Sequence, residues 1–227
     1  LEGSPSSLMD NVRAAERFET AFRVDRIDQP VDRAEWLMTP QTVNAYYQST
    51  SNEICFPAAI LQDPFFIAGG DEAANYGGIG AVIGHEIGHG FDDQGSKYDP
   101  TGKLESWWTD ADRSEFDKRT AALIGQYEGL VPEDLDGSEH AVNGALTIGE
   151  NIGDLGGISI AIKAYQIALA ARGSSLEEEP VVDGRTALQR LFIQWALVWR
   201  EKRRTEESIR LLAIDPHSPP EFRCNQV

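Results

Sequence analysis

A mainly helical α+β domain with one small β-sheet is what this sequence predicts, and three observations predict it. Five segments have the length and composition of helices, while only residues 42–48 and 53–58 are rich in β-branched and aromatic residues. No internal repeat and no long low-complexity tract is present, so no solenoid or fibrous class competes.

The elements follow in chain order. Residues 1–7, Leu-Glu-Gly-Ser-Pro-Ser-Ser, read as a linker, which leaves 8–227 as one domain. Leu8, Val12, Ala15, Phe18 and Phe22 recur at helical steps and predict an amphipathic helix over 8–26. Pro30 and Pro40 bracket a turn-rich stretch. The polar Ser49-Thr50-Ser51-Asn52 separates the two strand-like runs, so a hairpin is expected, with Pro57 at a strand end or edge. Residues 75–91 read as a helix despite several glycines. A helix over 110–128 is capped by Thr109 and buries Phe116, Leu123, Ile124 and Tyr127. A glycine-bearing loop over 130–144 leads to a helix over 146–171, and the acidic stretch 174–183 is a solvated loop. A last helix over 185–203 presents Leu188, Leu191, Phe192, Trp195 and Trp199 on one face.

Composition narrows the function. Lys and Arg total 20 against 37 Asp and Glu, a formal charge of −17 in 227 residues. A body this acidic repels phosphate backbones and anionic lipid, so nucleic acid is not an expected partner. Arg200, Lys202, Arg203 and Arg204 lack interleaved stacking aromatics and read as cations at a helix C-terminus. No apolar run reaches the roughly 20 residues of a membrane span; 191–199 is short and contains Gln194. Two cysteines exclude a disulfide-built scaffold.

The chemistry begins at His85-Glu86-Ile87-Gly88-His89. Histidines four apart share one helix face and can reach one metal ion, while Glu86 falls beside the ion as a general base for water. A surface helix with two unrelated histidines is the bland alternative. The apolar Ala81-Val82-Ile83 upstream argues against it, because buried histidines and a buried carboxylate need an ion or partners. A catalytic zinc takes three protein ligands, and Glu150 and Asp154, again four apart on a helix, offer a third. One can bind metal while the other accepts a hydrogen bond from a ligand histidine. Alone, these acids would read as dipole partners at a helix N-terminus. Asp92 and Asp93 are further candidates for hydrogen bonds to a ligand histidine. His140 reads as a surface residue. His217, in Asp215-Pro216-His217-Ser218-Pro219-Pro220, is held in a proline-restricted loop of the kind that suits a transition-state donor.

With Val43-Asn44-Ala45-Tyr46-Tyr47, Phe56-Pro57-Ala58-Ala59-Ile60-Leu61, Tyr76-Gly77-Gly78-Ile79-Gly80 and Gly149-Glu150-Asn151-Ile152-Gly153-Asp154, the chain resembles the neprilysin and endothelin-converting-enzyme family of zinc metallopeptidases. The match runs from about Arg33 to Arg223. The resemblance implies a thermolysin-like zincin domain with one zinc ion per chain, bound by His85, His89 and Glu150. It makes Glu86 the catalytic base and His217 the stabiliser of the oxyanion. Asp154 orients a zinc histidine, and Asp92 supports similarly. Asn44 and Ala45 hold the substrate backbone, Arg223 holds the carbonyl beyond the cut, and Phe65, Val82, Val198 and Trp199 line an apolar pocket.

Family members are longer, and a helical lobe roofs their active site. The sequence is therefore expected to be the catalytic portion of a longer parent, whose N-terminal lobe is its partner. Animal members are membrane-anchored and disulfide-rich. Cys55 and Cys224 as buried thiols resemble a bacterial member, with a bacterial cytoplasm favoured over an extracellular location. The expected function is zinc-dependent endopeptidase cleavage of oligopeptides before a large apolar residue. The alternative is a zinc-stabilised fragment that binds peptides without turnover.

Overall fold

The computed structural model describes residues 7–135, 137 and 139–227. The linker expected over 1–7 lies outside the described residues, Ser7 excepted. Among the described residues the fold is helical with one two-stranded sheet, as the patterning predicts. The chain divides into two compact units, one ending at Glu35 and the other running from Trp36 to Val227.

In the first unit, α1 (Leu8–Val24) is capped by the Ser7 hydroxyl, which accepts from the Asp10 amide. Its apolar stripe is not buried: Leu8, Val12, Phe18 and Phe22 are exposed. Among the described residues of this unit there is no second helix or strand to cover that face.

The second unit opens with the expected hairpin, shorter than predicted. Strand β1 (Tyr46–Gln48) pairs antiparallel with β2 (Glu53–Cys55), Tyr46 opposite Cys55. Residues 43–45 stay outside the ladder, and β2 stops two residues before Pro57, which has no N–H to continue it.

The helix expected over 75–91 begins earlier and changes pitch. It runs as α2 (Glu72–Asn75), a π-helical turn (Tyr76–Gly80) and α3 (Ala81–Gly88). Two of its glycines stand at close approaches: a Cβ at Gly77 would lie 2.0 Å from the Leu191 carbonyl oxygen, and one at Gly84 would lie 2.7 Å from the Gly157 carbonyl oxygen. A Cβ at Gly157 of α5 (Ile148–Ala171) would stand 2.5 Å from the Ala81 carbonyl oxygen and 2.8 Å from the His85 amide. The α3 and α5 backbones therefore touch directly. Gly157→Ala is expected to cost at least about 1–3 kcal/mol of stability, read by urea unfolding, because backbone rather than side chain must give way. An unchanged midpoint would show that the two helices are free to part.

Helix α4 (Asp110–Tyr127) starts where Thr109 accepts from the Asp112 amide. It buries Leu123 and Tyr127 against Val142 and Ile148. Helix α6 (Ala187–Val198) starts at a Thr186–Gln189 capping box. It ends five residues before the predicted stop, so 200–204 is irregular and the basic tract is not helical. The predicted face is also rotated. Ala187, Leu191, Gln194 and Trp195 are buried, while Leu188 and Phe192 face outward. Leu191 and Trp195 meet Ala73, Ile158, Ala161 and Tyr165 in the main core.

Two helices escaped prediction: α7 (Thr205–Ile214), which buries no residue, and α8 (Pro220–Asn225). The loop between them carries His217. Among the described residues no helix is long and apolar enough to cross a membrane.

Candidate metal centre

The last turn of α3 presents His85, and His89 caps its C-terminus. The facing first turn of α5 presents Glu150, with Asp154 one turn on. Gly153 makes room for the imidazole between them: a Cβ there would lie 2.7 Å from the His85 ring. Sequence-distant groups thus meet because two glycine-faced helices cross closely.

One ligand atom from each of His85, His89 and Glu150 lies within 4.8 Å of the others. Glu150 Oε2 stands 3.2 Å from His85 Nε2 and 3.8 Å from His89 Nε2. The opposite ring nitrogens are engaged. His85 Nδ1 is 2.9 Å from Asp154 Oδ1, and His89 Nδ1 is 2.7 Å from Asp92 Oδ2. Asp92 Oδ1 in turn accepts from the Gln94 and Gly95 amides. A carboxylate only accepts, so each Nδ1 carries a proton, and each Nε2 faces Glu150, where it offers a lone pair once its own proton is given up. Lone pairs facing a carboxylate oxygen repel unless a cation lies between them. Glu150 Oε2 is accordingly a buried oxygen without a hydrogen bond. Ligands about 2.0–2.2 Å from a tetrahedral ion are roughly 3.3–3.6 Å apart, and the separations of 3.2 and 3.8 Å to Glu150 lie on either side of that spacing. Two imidazoles and one carboxylate form the donor set of a catalytic zinc.

The surrounding charges reinforce this. Burial would lower the His85 pKa, but Asp154 and Glu150 outweigh it and hold the ring at about 9. Burial would likewise raise Glu150, yet His217 and His85 keep it well below the usual carboxylate range. Both shifts describe a pocket that attracts positive charge. Glu86, on the same turn of α3, is buried, and burial pushes its carboxyl upward against the opposing pull of the two histidines.

His217 completes the group from the loop between α7 and α8. Its Nε2 is 3.2 Å from Glu150 Oε2, and its Nδ1 is 2.7 Å from Asp215 Oδ1. Both nitrogens face acceptors, so the ring is poised to hold two protons and donate one. Arg223 of α8 grips Asp154 through two bonds of 2.6 and 2.7 Å and lies over the Trp199 ring, 3.8 Å from its centroid.

A cleft of about 470 Å³ brings the remaining expected residues together. Asn44, Ala45, Phe65, Val82, Trp199 and Arg223 line it beside Glu86 and both histidines. Val198 does not line it. It packs against the helical core, because one helix residue turns the side chain by about 100° from Trp199. Asp93 pairs with Gln94 rather than with a histidine. His140 is half-buried, not a fully exposed surface residue, and Cys55 and Cys224 are half-buried free thiols. A second cavity of about 600 Å³ abuts the cleft and shares Trp199 and His217 with it, but lacks the converging donors.

Sequence reasoning missed three partners. Asp215 was within reach of it, two residues from His217 on the same loop. The Arg223–Asp154 pair and the Ser218–Asn151 hydrogen bond join residues far apart in the chain and have no local signal.

Comparison with known proteins gives a consistent picture. The model of peptidase family M13 matches residues 44–227. Neprilysin-1 of Caenorhabditis elegans is 43% identical over 228 residues, covering 100% of this chain and 30% of that protein. Endothelin-converting enzyme 1 of Bos taurus is 41% identical over 219 residues, 96% of this chain and 28% of that protein. The crystal structure of the zinc metalloprotease Zmp1 of Mycobacterium tuberculosis, in complex with an inhibitor, superposes with a TM-score of 0.90. It is 60% identical and covers 97% of this chain and 33% of that one. PepO of Lactobacillus rhamnosus aligns with a TM-score of 0.82 at 36% identity, over 97% of this chain and 32% of that one. The chain thus spans about 30% of the length of the curated relatives it matches.

Proposed function

Because the chain belongs to peptidase family M13, we propose that it is the zinc-bearing catalytic part of an endopeptidase that hydrolyses oligopeptides. The convergence of His85, His89 and Glu150 beside the buried carboxylate of Glu86 carries this reading.

His85, His89 and Glu150 hold the zinc ion, and Asp154 and Asp92 orient its two histidines. Zinc, when bound, supplies Lewis acidity toward water and the scissile carbonyl. The chain's own groups do the rest. The substrate lies extended along residues 43–45, whose main chain is outside the ladder, with Asn44 and Ala45 pairing to its backbone. Glu86 takes a proton from the attacking water as the oxygen bonds to the carbonyl carbon. It then delivers that proton to the amide nitrogen as the C–N bond breaks. His217 donates from Nε2 to the oxygen that gains charge, where one donor is worth about 3 kcal/mol. Arg223, anchored on Asp154, faces the carbonyl beyond the cut. Phe65, Val82 and Trp199 receive the side chain that follows it, which favours a large apolar residue there.

A mixed oligopeptide library read by mass spectrometry tests this. The zinc-loaded chain is expected to cut before Phe, Leu or Ile at least about tenfold faster than before Gly or Asp. Chelation abolishes cutting, and added zinc restores it. Intact peptides at one zinc per chain would instead support a zinc-stabilised fragment that binds without turnover. Equal cutting before every residue type would remove the apolar pocket from the proposal.

A further inference from the structure

His217 has to stand at a fixed height over the metal-facing oxygen of Glu150, yet it sits in a loop with 46% of its side chain exposed. Asp215 holds the ring through Nδ1 and the His217 amide through the same oxygen, at 2.7 and 3.0 Å. Asp215 belongs to that same loop. It sets the ring's angle within the loop and leaves open how the loop is placed against α5.

The next residue along supplies the anchor. Ser218, 2% exposed, donates its hydroxyl to Asn151 Oδ1 at 2.8 Å, and Asn151 is fully buried. The Asn151 amide donates to Thr147 Oγ1 at 3.0 Å, and the Thr147 hydroxyl donates to the Asn143 carbonyl at 3.3 Å. Every donor in this chain points the same way, so each bond polarises the next and the amide orientation of Asn151 is determined. Asn151 directly follows Glu150, and Ser218 directly follows His217. One buried hydrogen bond therefore ties the neighbour of the carboxylate to the neighbour of the imidazole. Packing of Phe222 against the Leu123–Tyr127 core supports the far side of the loop without directionality.

We propose that Ser218 and Asn151 are a positioning pair that sets the reach of His217 toward the reacting carbonyl oxygen. The inference rests on the hydrolytic reading above. Neither residue touches the substrate, so the pair acts only through His217 and its loss is felt where oxyanion charge develops.

A double-mutant cycle on the zinc-loaded full chain tests this. Ser218→Ala is expected to lower kcat about tenfold with KM within twofold and zinc still at one per chain. Ser218→Thr, which keeps the hydroxyl, restores at least half of the loss. In a His217→Ala background, Ser218→Ala produces no further loss. A peptide phosphonate, which carries oxyanion charge without turnover, gives the same cycle as dissociation constants by calorimetry. Ser218→Cys keeps the volume with a weaker donor and serves if the alanine variant fails to fold; half or less of the expected loss still counts only if it vanishes without His217. Equal losses in both backgrounds, or no loss in the single variant, overturn the positioning role. A wild-type chain that binds the phosphonate yet cuts nothing sinks the hydrolytic reading alone, since the binding cycle still decides this one.

Discussion

Glu86→Gln is expected to leave one zinc per chain in place and to lower kcat for peptide hydrolysis by about 10²–10⁴-fold, the range ascribed to a positioned general base. Glutamine matches glutamate in size, so the α3 backbone, the His85–Asp154 bond and the His89–Asp92 bond have no reason to move. It cannot accept a proton from water or return one to the leaving amine. The effect should fall on kcat with KM nearly unchanged, because Glu86 acts on the proton in flight rather than on the bound peptide. Metal analysis and turnover on the same sample check it. Undiminished turnover would sink the base assignment. Lost zinc would make Glu86 a structural support of the site instead.

Arg223→Met is expected to destabilise the chain by about 3–5 kcal/mol, the cost of stranding a buried charge. Asp154 is fully buried, and Arg223 donates to both of its oxygens. Burial would raise the Asp154 pKa, but Arg223 first and then His85 hold it well below the usual carboxylate range. Methionine keeps the length and apolar stem of the arginine and removes the charge, leaving Asp154 with only the His85 ring. The comparison is Arg172→Met, which breaks an exposed 2.7 Å pair with Glu72 and should cost no more than about 1 kcal/mol. Urea unfolding of the two variants without metal separates them. Equal small losses would show that the buried pair is not a structural keystone. The same change should also weaken zinc binding by about 10–100-fold, since Asp154 orients His85.

These two residues illustrate how unevenly the site is written in the chain. Glu86 declares its place because a helix puts residues four apart on one face, and its neighbours His85 and His89 sit at that spacing. Asp154 could be paired with Glu150 by the same rule, although which acid faced the metal stayed open at the level of spacing. Arg223 offered no such rule. Its partner lies 69 residues away, and only the docking of α8 beside α5 brings the two together. Helix boundaries show the same divide. Thr109 announced a helix start through the hydroxyl that caps it, while the Thr186 capping box, the early stop of α6 before its basic tract and the whole of α7 went unread. α7 is only ten residues long and starts after Arg204 without a side-chain cap, so neither length nor a capping hydroxyl announced it.

Local order therefore came from the chain alone: where most helices lie, that two short strands form a hairpin, and that two histidines with a glutamate between them share a helical turn. Such features depend on neighbours within a few residues, and their periodicity survives in a string of letters. Convergence came only from packing. Glycine-faced contact between α3 and α5 sets Glu150 opposite the histidines, the loop before α8 sets His217 above it, and Ser218 and Arg223 lock those pieces together. Such placements are decided by excluded volume and by buried hydrogen bonds between distant segments, and neither quantity has a period along the chain.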